Sequence, residues 1–362
     1  MTLRPSSPSH PHRLLLAGLA GIALGVMGPS QANAAAVSDP PARLSETGLY
    51  TAGSMSQVRP GIAPFSPQYP LWSDGADKRR WLRLPPGKAI DASNPDAWQF
   101  PPGTQVWKEF SHDGRPVETR YIQRRADGTW SFATYVWSDD GREATLAPGR
   151  GSVVPVRAAP GGLYAVPSRG DCVACHGSAA VPVLGVSALQ LSADRDPLAV
   201  HGRPLHDGEV DLPALVARGW LRGLPPALLK QPPRLAAATS TERAALGYLH
   251  ANCSHCHNAS GNQVPLRLTL AQSAADPQSS RQAVLASAVD APSRYQPADS
   301  PAPPRVIVPG NPQASVLAMR MQSRQAQSQM PPLGSDLADT EGLALLSHWI
   351  THDLSHRKET PP

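Results

Sequence analysis

Cys253-Ser254-His255-Cys256-His257, together with its upstream counterpart Cys172-Val173-Ala174-Cys175-His176, is the stretch from which this 362-residue chain is best read. Both follow the pattern C-x-x-C-H, and between them they use all four cysteines of the chain. Two sulfurs three positions apart on a helical turn reach the two vinyl groups of one porphyrin. The histidine that follows then lies beneath the ring, where its imidazole can ligate iron. A C-x-x-C by itself is more often half of a zinc site or a redox dithiol, and two of them can pair into a four-cysteine zinc site. The histidine after each motif, and the lack of a βαβ pattern around either, favour two covalently bound haem c groups. Cys172, Cys175, Cys253 and Cys256 would be the attachment points, with His176 and His257 as iron ligands.

The chemistry demands a compartment, and the N-terminus supplies one. Arg4 and Arg13 precede an apolar run from Leu14 to Gly28, and Ala32-Asn33-Ala34 has the form of a cleavage site. Residues 1–34 therefore read as a secretory signal peptide, too short for a membrane anchor, which places the mature chain in the periplasm as a soluble protein. No cysteine follows the apolar run to carry a lipid, and no later stretch is long enough to span a bilayer. Losing Arg4 and Arg13 lowers the net charge from +5 to +3, and four haem propionates would bring it near neutral. No stripe of Lys and Arg points to nucleic acid. The 41 prolines imply many rigid loops, which a fold built around a cofactor tolerates because the porphyrin supplies apolar core.

Working outward from the motifs, residues 35–161 form a β-rich module. Val106, Lys108 and Phe110 alternate with Gln105, Trp107 and Glu109; Val117, Thr119 and Tyr121 alternate with Glu118, Arg120 and Ile122; Trp130, Phe132, Thr134 and Val136 make a third run. Asp113-Gly114 and Asp127-Gly128 separate these runs, the signature of an antiparallel meander. Trp72, Trp81, Trp98, Trp107, Trp130 and Trp137 read as core, with sugar binding the alternative. Asp77-Lys78-Arg79-Arg80 reads as a solvated turn or, alternatively, a docking edge. Val154 to Arg169, rich in Pro and Gly, reads as a linker into the first haem segment, 162–238, where Leu212 to Arg222 is helical.

Residues 239–356 make the second haem domain. Thr239-Ser240-Thr241-Glu242 is a capping box, and the helix it starts carries Leu246, Leu249, Cys253 and Cys256 on one face. His250 shares that side as a pocket-edge residue. Val181-Pro182 and Val264-Pro265 follow the two motifs, and a carbonyl near such a proline is expected to accept the Nδ1 proton of the proximal histidine. Residues 271–305 read as a surface loop, followed by a helix with Leu317, Met319 and Met321, then Met330-Pro331-Pro332 and a closing helix from about Thr340. Met330 is the expected sixth ligand of the second haem. For the first haem there is no methionine between Met55 and Met319. Its sixth position falls to His201 or His206, to Met319 or Met321 from the other segment, or stays open.

Residues 239–352, with the Cys253–His257 helix, the Met330-Pro331 loop and the Trp349-Ile350 helix, resemble a class I cytochrome c domain. The resemblance implies haem wrapped by a few helices, the first and last packed crosswise. More broadly, the chain is similar to a bacterial family of dihaem c-type cytochromes with an N-terminal β region. The matching stretches are Pro70-Leu71-Trp72-Ser73-Asp74, Phe100-Pro101-Pro102-Gly103-Thr104, Tyr248-Leu249, Val308-Pro309-Gly310 and Arg320-Met321-Gln322-Ser323. The expected fold class is thus α+β, a mainly antiparallel β module followed by mainly helical, cytochrome c-like haem segments. The expected function is carriage of single electrons between periplasmic redox proteins, a dehydrogenase as donor and a cytochrome or oxidase as acceptor. A dihaem peroxidase-like enzyme with an open first haem, or a docking subunit of a periplasmic dehydrogenase, are the alternatives.

Overall fold

The computed structural model describes residues 39–355 apart from 158, 260–266 and 298–302. The signal segment 1–34 and the Val264-Pro265 pair lie outside the described residues. Among the described residues ten strands are found: β1 (Ala63–Pro64), β2 (Asp77–Arg83), β3 (Ile90–Asp91), β4 (Gln105–His112), β5 (Arg115–Arg124), β6 (Trp130–Trp137), β7 (Ala144–Leu146), β8 (Ser152–Pro155), β9 (Leu163–Val166) and β10 (Leu221–Arg222). The helices are α1 (Arg169–His176), α2 (Leu212–Ala217), α3 (Ala227–Lys230), α4 (Ser240–Cys253), α5 (Pro277–Ala288), α6 (Val316–Gln322) and α7 (Thr340–His348). The architecture is mixed α+β.

The meander read from the sequence is the centre of a six-stranded antiparallel sheet, in the order β1-β2-β4-β5-β6-β7. Asp113 and Gly114 both take positive φ, 48° and 74°, and join β4 to β5 through the pair His112 and Arg115. That geometry matches the right-handed twist of the strands and explains the Asp-Gly. Alternation gives the sheet two different faces. Trp81, Trp107, Tyr121, Tyr135 and Trp137 lie on one, buried with Leu44, Leu49 and Tyr50 from the preceding segment. Val106, Lys108, Arg120 and Ile122 lie on the other, toward the two C-x-x-C-H motifs.

The main core runs through the whole chain from Ala63 to Leu354. Phe65, Leu82, Trp98 and Phe100 of the β region pack with Leu246, Leu249, Leu346, Trp349 and Ile350 of the helices. Helices α4 and α7 meet where Gly342 lies under the Tyr248 ring; a Cβ on Gly342 would stand 2.4 Å from that ring, so only glycine allows the approach. The Tyr248 hydroxyl donates to Asp339 at 2.9 Å, and Asp339 in turn caps α7 by accepting from Gly342 N.

Several expectations are corrected. Asp77–Arg80 is not a turn but the first half of β2, with Arg80 buried, because β2 pairs with β4 along its whole length. The 154–169 linker contains a β8–β9 hairpin. The 271–305 loop carries α5, whose Val284, Leu285 and Ala288 reach the core. The helix expected over 212–222 stops at Ala217, and Leu221-Arg222 pairs in parallel with β3 instead. Trp81, Trp98, Trp107 and Trp137 are core as expected, whereas Trp72 and Trp130 are only half-buried.

Candidate cofactor cavity

The first motif rides on a short helix. Ser168 caps α1, accepting from Asp171 N at 3.1 Å while Asp171 accepts from Ser168 N at 2.8 Å. None of the eight helical residues is fully buried. The helix is therefore positioned by its ends and by the sheet beneath it; the His176 ring lies 5.3 Å from Phe132 of β6. His176 Nδ1 lies 2.5 Å from the carbonyl of Pro182, the contact expected from the sequence. An Nδ1–H donated to that oxygen leaves Nε2 as the free lone pair, the tautomer an iron ligand needs.

The second motif is carried by the protein's interior. Thr239 caps α4, accepting from Glu242 N at 2.9 Å, but the Glu242 carboxylate does not complete a capping box; it pairs with Arg281 of α5. Nine of the fourteen residues of α4 are buried. Cys253 ends the helix, and the turn that follows keeps Cys256 N and His257 N on the carbonyl of Cys253, at 3.2 and 2.9 Å. His257 Nδ1 is buried without a hydrogen-bond partner among the described residues.

Both motifs open on one cavity of about 880 Å³, within the range of roughly 300–1,000 Å³ typical of small-molecule and cofactor sites. Cys175, His176, Cys253, Cys256 and His257 line it, and so do Met321 and Met330. Cys172 stands just outside the lining. The Met330 loop is held by the β region: Asp74 accepts from Asp336 N and Leu337 N at 2.8 and 3.0 Å, and Trp72 Nε1 donates to Leu337 O at 3.3 Å. Asn252 Oδ1 of α4 accepts from Trp72 N at 2.7 Å, tying the same stretch to the second motif. The two motif segments also touch, through Asn258 Nδ2 donating to Ser178 O at 3.2 Å.

The other candidate ligands are elsewhere. His201 Nε2 lies 3.0 Å from both carboxylate oxygens of Asp339, with Trp72 4.8 Å away on its face, and it does not line the cavity. His206 is exposed. Neither Met319 nor His250 contributes to the lining, and His250 Nδ1 accepts from Gln272 N at 3.1 Å. A residue that sequence reasoning passed over does line it. His255, within the second motif, is only 8% exposed and has no hydrogen bond from its ring among the described residues. So do Arg80, Lys108 and Arg120 of the sheet, which the pairing of β2, β4 and β5 sets on one face; the sequence had offered alternation for Lys108 and Arg120 alone.

The electrostatics separate the possible chemistries. Burial pushes the Cys253 thiol up to about 12 and, with Cys256 beside it, the Cys175 thiol to about 11. Redox dithiols work as thiolates, which an electropositive or exposed setting favours; burial of these thiols does the reverse. Among the described residues no three His, Cys, Asp or Glu side chains converge as a metal site would require. Burial, partly opposed by the Pro182 carbonyl, holds His176 down to about 4, so its imidazole is neutral and able to ligate. An apolar chamber, paired thiols that end as neutral sulfur, and a proximal histidine with its Nδ1 already bonded suit a thioether-linked haem at each motif. No family model, curated protein or solved structure matches the chain at a significant level.

Proposed function

We propose that the protein is a dihaem c-type cytochrome of the periplasm that carries single electrons between redox partners. The observation that carries this reading is the common cavity: two C-x-x-C-H motifs, 81 residues apart in the chain, bring Cys175, His176, Cys253, Cys256 and His257 to one chamber, with Cys172 just outside its lining. Cys172 and Cys175 would bind one haem and Cys253 and Cys256 the other, with His176 and His257 on the proximal side. Bound there, haem supplies a reversible one-electron couple at iron. The chain's own part is to hold that chamber apolar, to fix the His176 tautomer through Pro182 O, and to present thioether sulfur from Met330 and Met321. A thioether opposite histidine favours the reduced metal and raises its potential, which suits electron transfer. The crossing of α4 and α7 at Gly342 and Tyr248 supports the cytochrome c-like reading of the second segment.

The test is the exported protein itself. Its mass should exceed that of the processed polypeptide by two porphyrin increments, its denatured band should retain haem stain, and a redox titration should resolve two one-electron waves. A polypeptide carrying no covalent porphyrin would end this reading. A stable high-spin ferric component with peroxide turnover would turn it toward the peroxidase alternative.

A further inference from the structure

Three cations stand side by side on the inward face of the sheet. Arg80 of β2 is directly opposite Lys108 of β4, and Lys108 is directly opposite Arg120 of β5. All three line the cavity that both haem motifs share. Like charges facing each other across strands are destabilising, and buried charges persist only where something pairs them. Arg120 has its partner: its Nε and Nη2 both donate to the Glu118 carboxylate, which also accepts from the Tyr164 hydroxyl at 2.6 Å. Arg80 and Lys108 have none. Among the described residues neither makes a side-chain hydrogen bond or ion pair; the Lys108 ammonium rests 4.6 Å from the Phe110 ring centre, and the nearby Glu209 carboxylate is already bound by Arg203 at 2.6 Å. Burial, with Arg80 and Arg120 adding to it, pushes the Lys108 ammonium well below its ordinary range, and burial with Arg203 pushes Arg80 to about 10.

Arg80 and Lys108 stand without a side-chain partner at the wall of a mainly apolar chamber, whose lining also includes Arg267, Arg294, Arg320 and Arg324, and two such cations call for anionic groups. We propose that Arg80 and Lys108, flanked by the neutralised Arg120, form a carboxylate-binding wall that receives the two propionates of one of the haems, so that the β region is part of the cofactor site. This rests on the haem reading above. Arg80 and Lys108 are then positioning residues: they orient the porphyrin and set its potential by their charge, without touching iron. The arrangement gives the β sheet a role that the motifs alone do not imply. It also accounts for Arg80 being buried in a run, Asp77–Arg80, that composition marks as surface.

The experiment compares the purified holoprotein with Lys108→Met, Lys108→Arg and Arg80→Gln variants by haem content, two-wave redox titration, resonance Raman spectra of the propionate bending bands, and thermal melting. If propionates occupy the wall, Lys108→Met lowers the potential of one wave and leaves the other in place. It also shifts the bending bands and lowers the melting temperature, and Lys108→Arg restores all three. If no anion sits there, removing a half-buried, unpaired cation from a row of like charges raises the melting temperature and moves neither wave. That result, with both haems still attached, overturns the wall and leaves the haem reading standing; loss of all haem from the wild-type protein overturns the haem reading instead. Should Lys108→Met fail to accumulate, Arg80→Gln gives the same pair of opposed signs. Succinate distinguishes the source of the carboxylate. Saturable binding of succinate to the wild-type holoprotein that is lost in Arg80→Gln would assign the wall to a free anion and overturn the propionate assignment.

Discussion

The two C-x-x-C-H segments are alike in sequence and unlike in how the protein holds them. The second sits at the end of α4, whose buried residues belong to the main core and whose Tyr248 is locked against Gly342 and Asp339. The first sits on α1, eight residues long, with no fully buried side chain and with its cap, the Pro182 contact and the sheet as its main constraints. Helix formation is costly to nucleate, so a short helix without a buried face draws its stability from what it docks on. The same five-residue motif is therefore an extension of the core in one place and an attachment to a β surface in the other. The sheet contributes to the first site what α7 and the Met330 loop contribute to the second.

This contrast can be broken by experiment. The largest effect is expected from replacing both cysteines of one motif with serine. Cys253→Ser/Cys256→Ser should halve haem content and also destabilise the fold, since α4 ends in the emptied site. Cys172→Ser/Cys175→Ser should halve haem content while the rest of the protein melts nearly as before; equal melting losses in the two variants would show that the sites are held alike. Next, Leu246→Ala, at a fully buried position of α4, should cost about 2–5 kcal/mol in denaturant unfolding, the range for a large-to-small core change. Met330→Ala should lower the potential of one haem and leave the other wave in place, as removal of a thioether from iron predicts. An unchanged pair of waves would take Met330 out of the ligand set.

The smallest effects sharpen the comparison most. Thr239→Ala and Ser168→Ala each remove an N-cap, worth about 1 kcal/mol. In α4 that loss should appear in global stability, because the helix unfolds with the core. In α1 it should appear as faster amide hydrogen exchange over residues 169–176 with little change in the global transition. A global loss from Ser168→Ala equal to that from Thr239→Ala would mean that α1 is part of the same cooperative unit as α4.

Much of this was legible in the residues. The Asp113-Gly114 hairpin, the three alternating strands, the Thr239 cap, the closing helix from Thr340 and the Pro182 carbonyl near His176 each rest on a local rule with a short reach in the chain. The misses are of another kind. The run Asp77-Lys78-Arg79-Arg80 has the composition of a turn, and only the full-length pairing of β2 with β4 makes it a strand with one buried cation. Residues 277–288 are poor in large apolar side chains, so the apolar signal of α5 reduces to Val284 and Leu285, too little to recognise alone. The sixth-ligand candidates show the same limit: His201 and His206 are plausible by type, but Asp339 engages one and the other is exposed.

The chain's order of residues was enough to specify the two C-x-x-C-H motifs, the meander and the helix caps, because each depends on groups within a few positions of one another. Tertiary structure alone decided that the motifs share a single chamber, that the Asp74 and Trp72 region clamps the Met330 loop, and that Arg80, Lys108 and Arg120 face inward. Those outcomes depend on which of two chemically plausible faces is buried. That choice is made by the sum of many weak contacts between distant segments, and no local pattern records it.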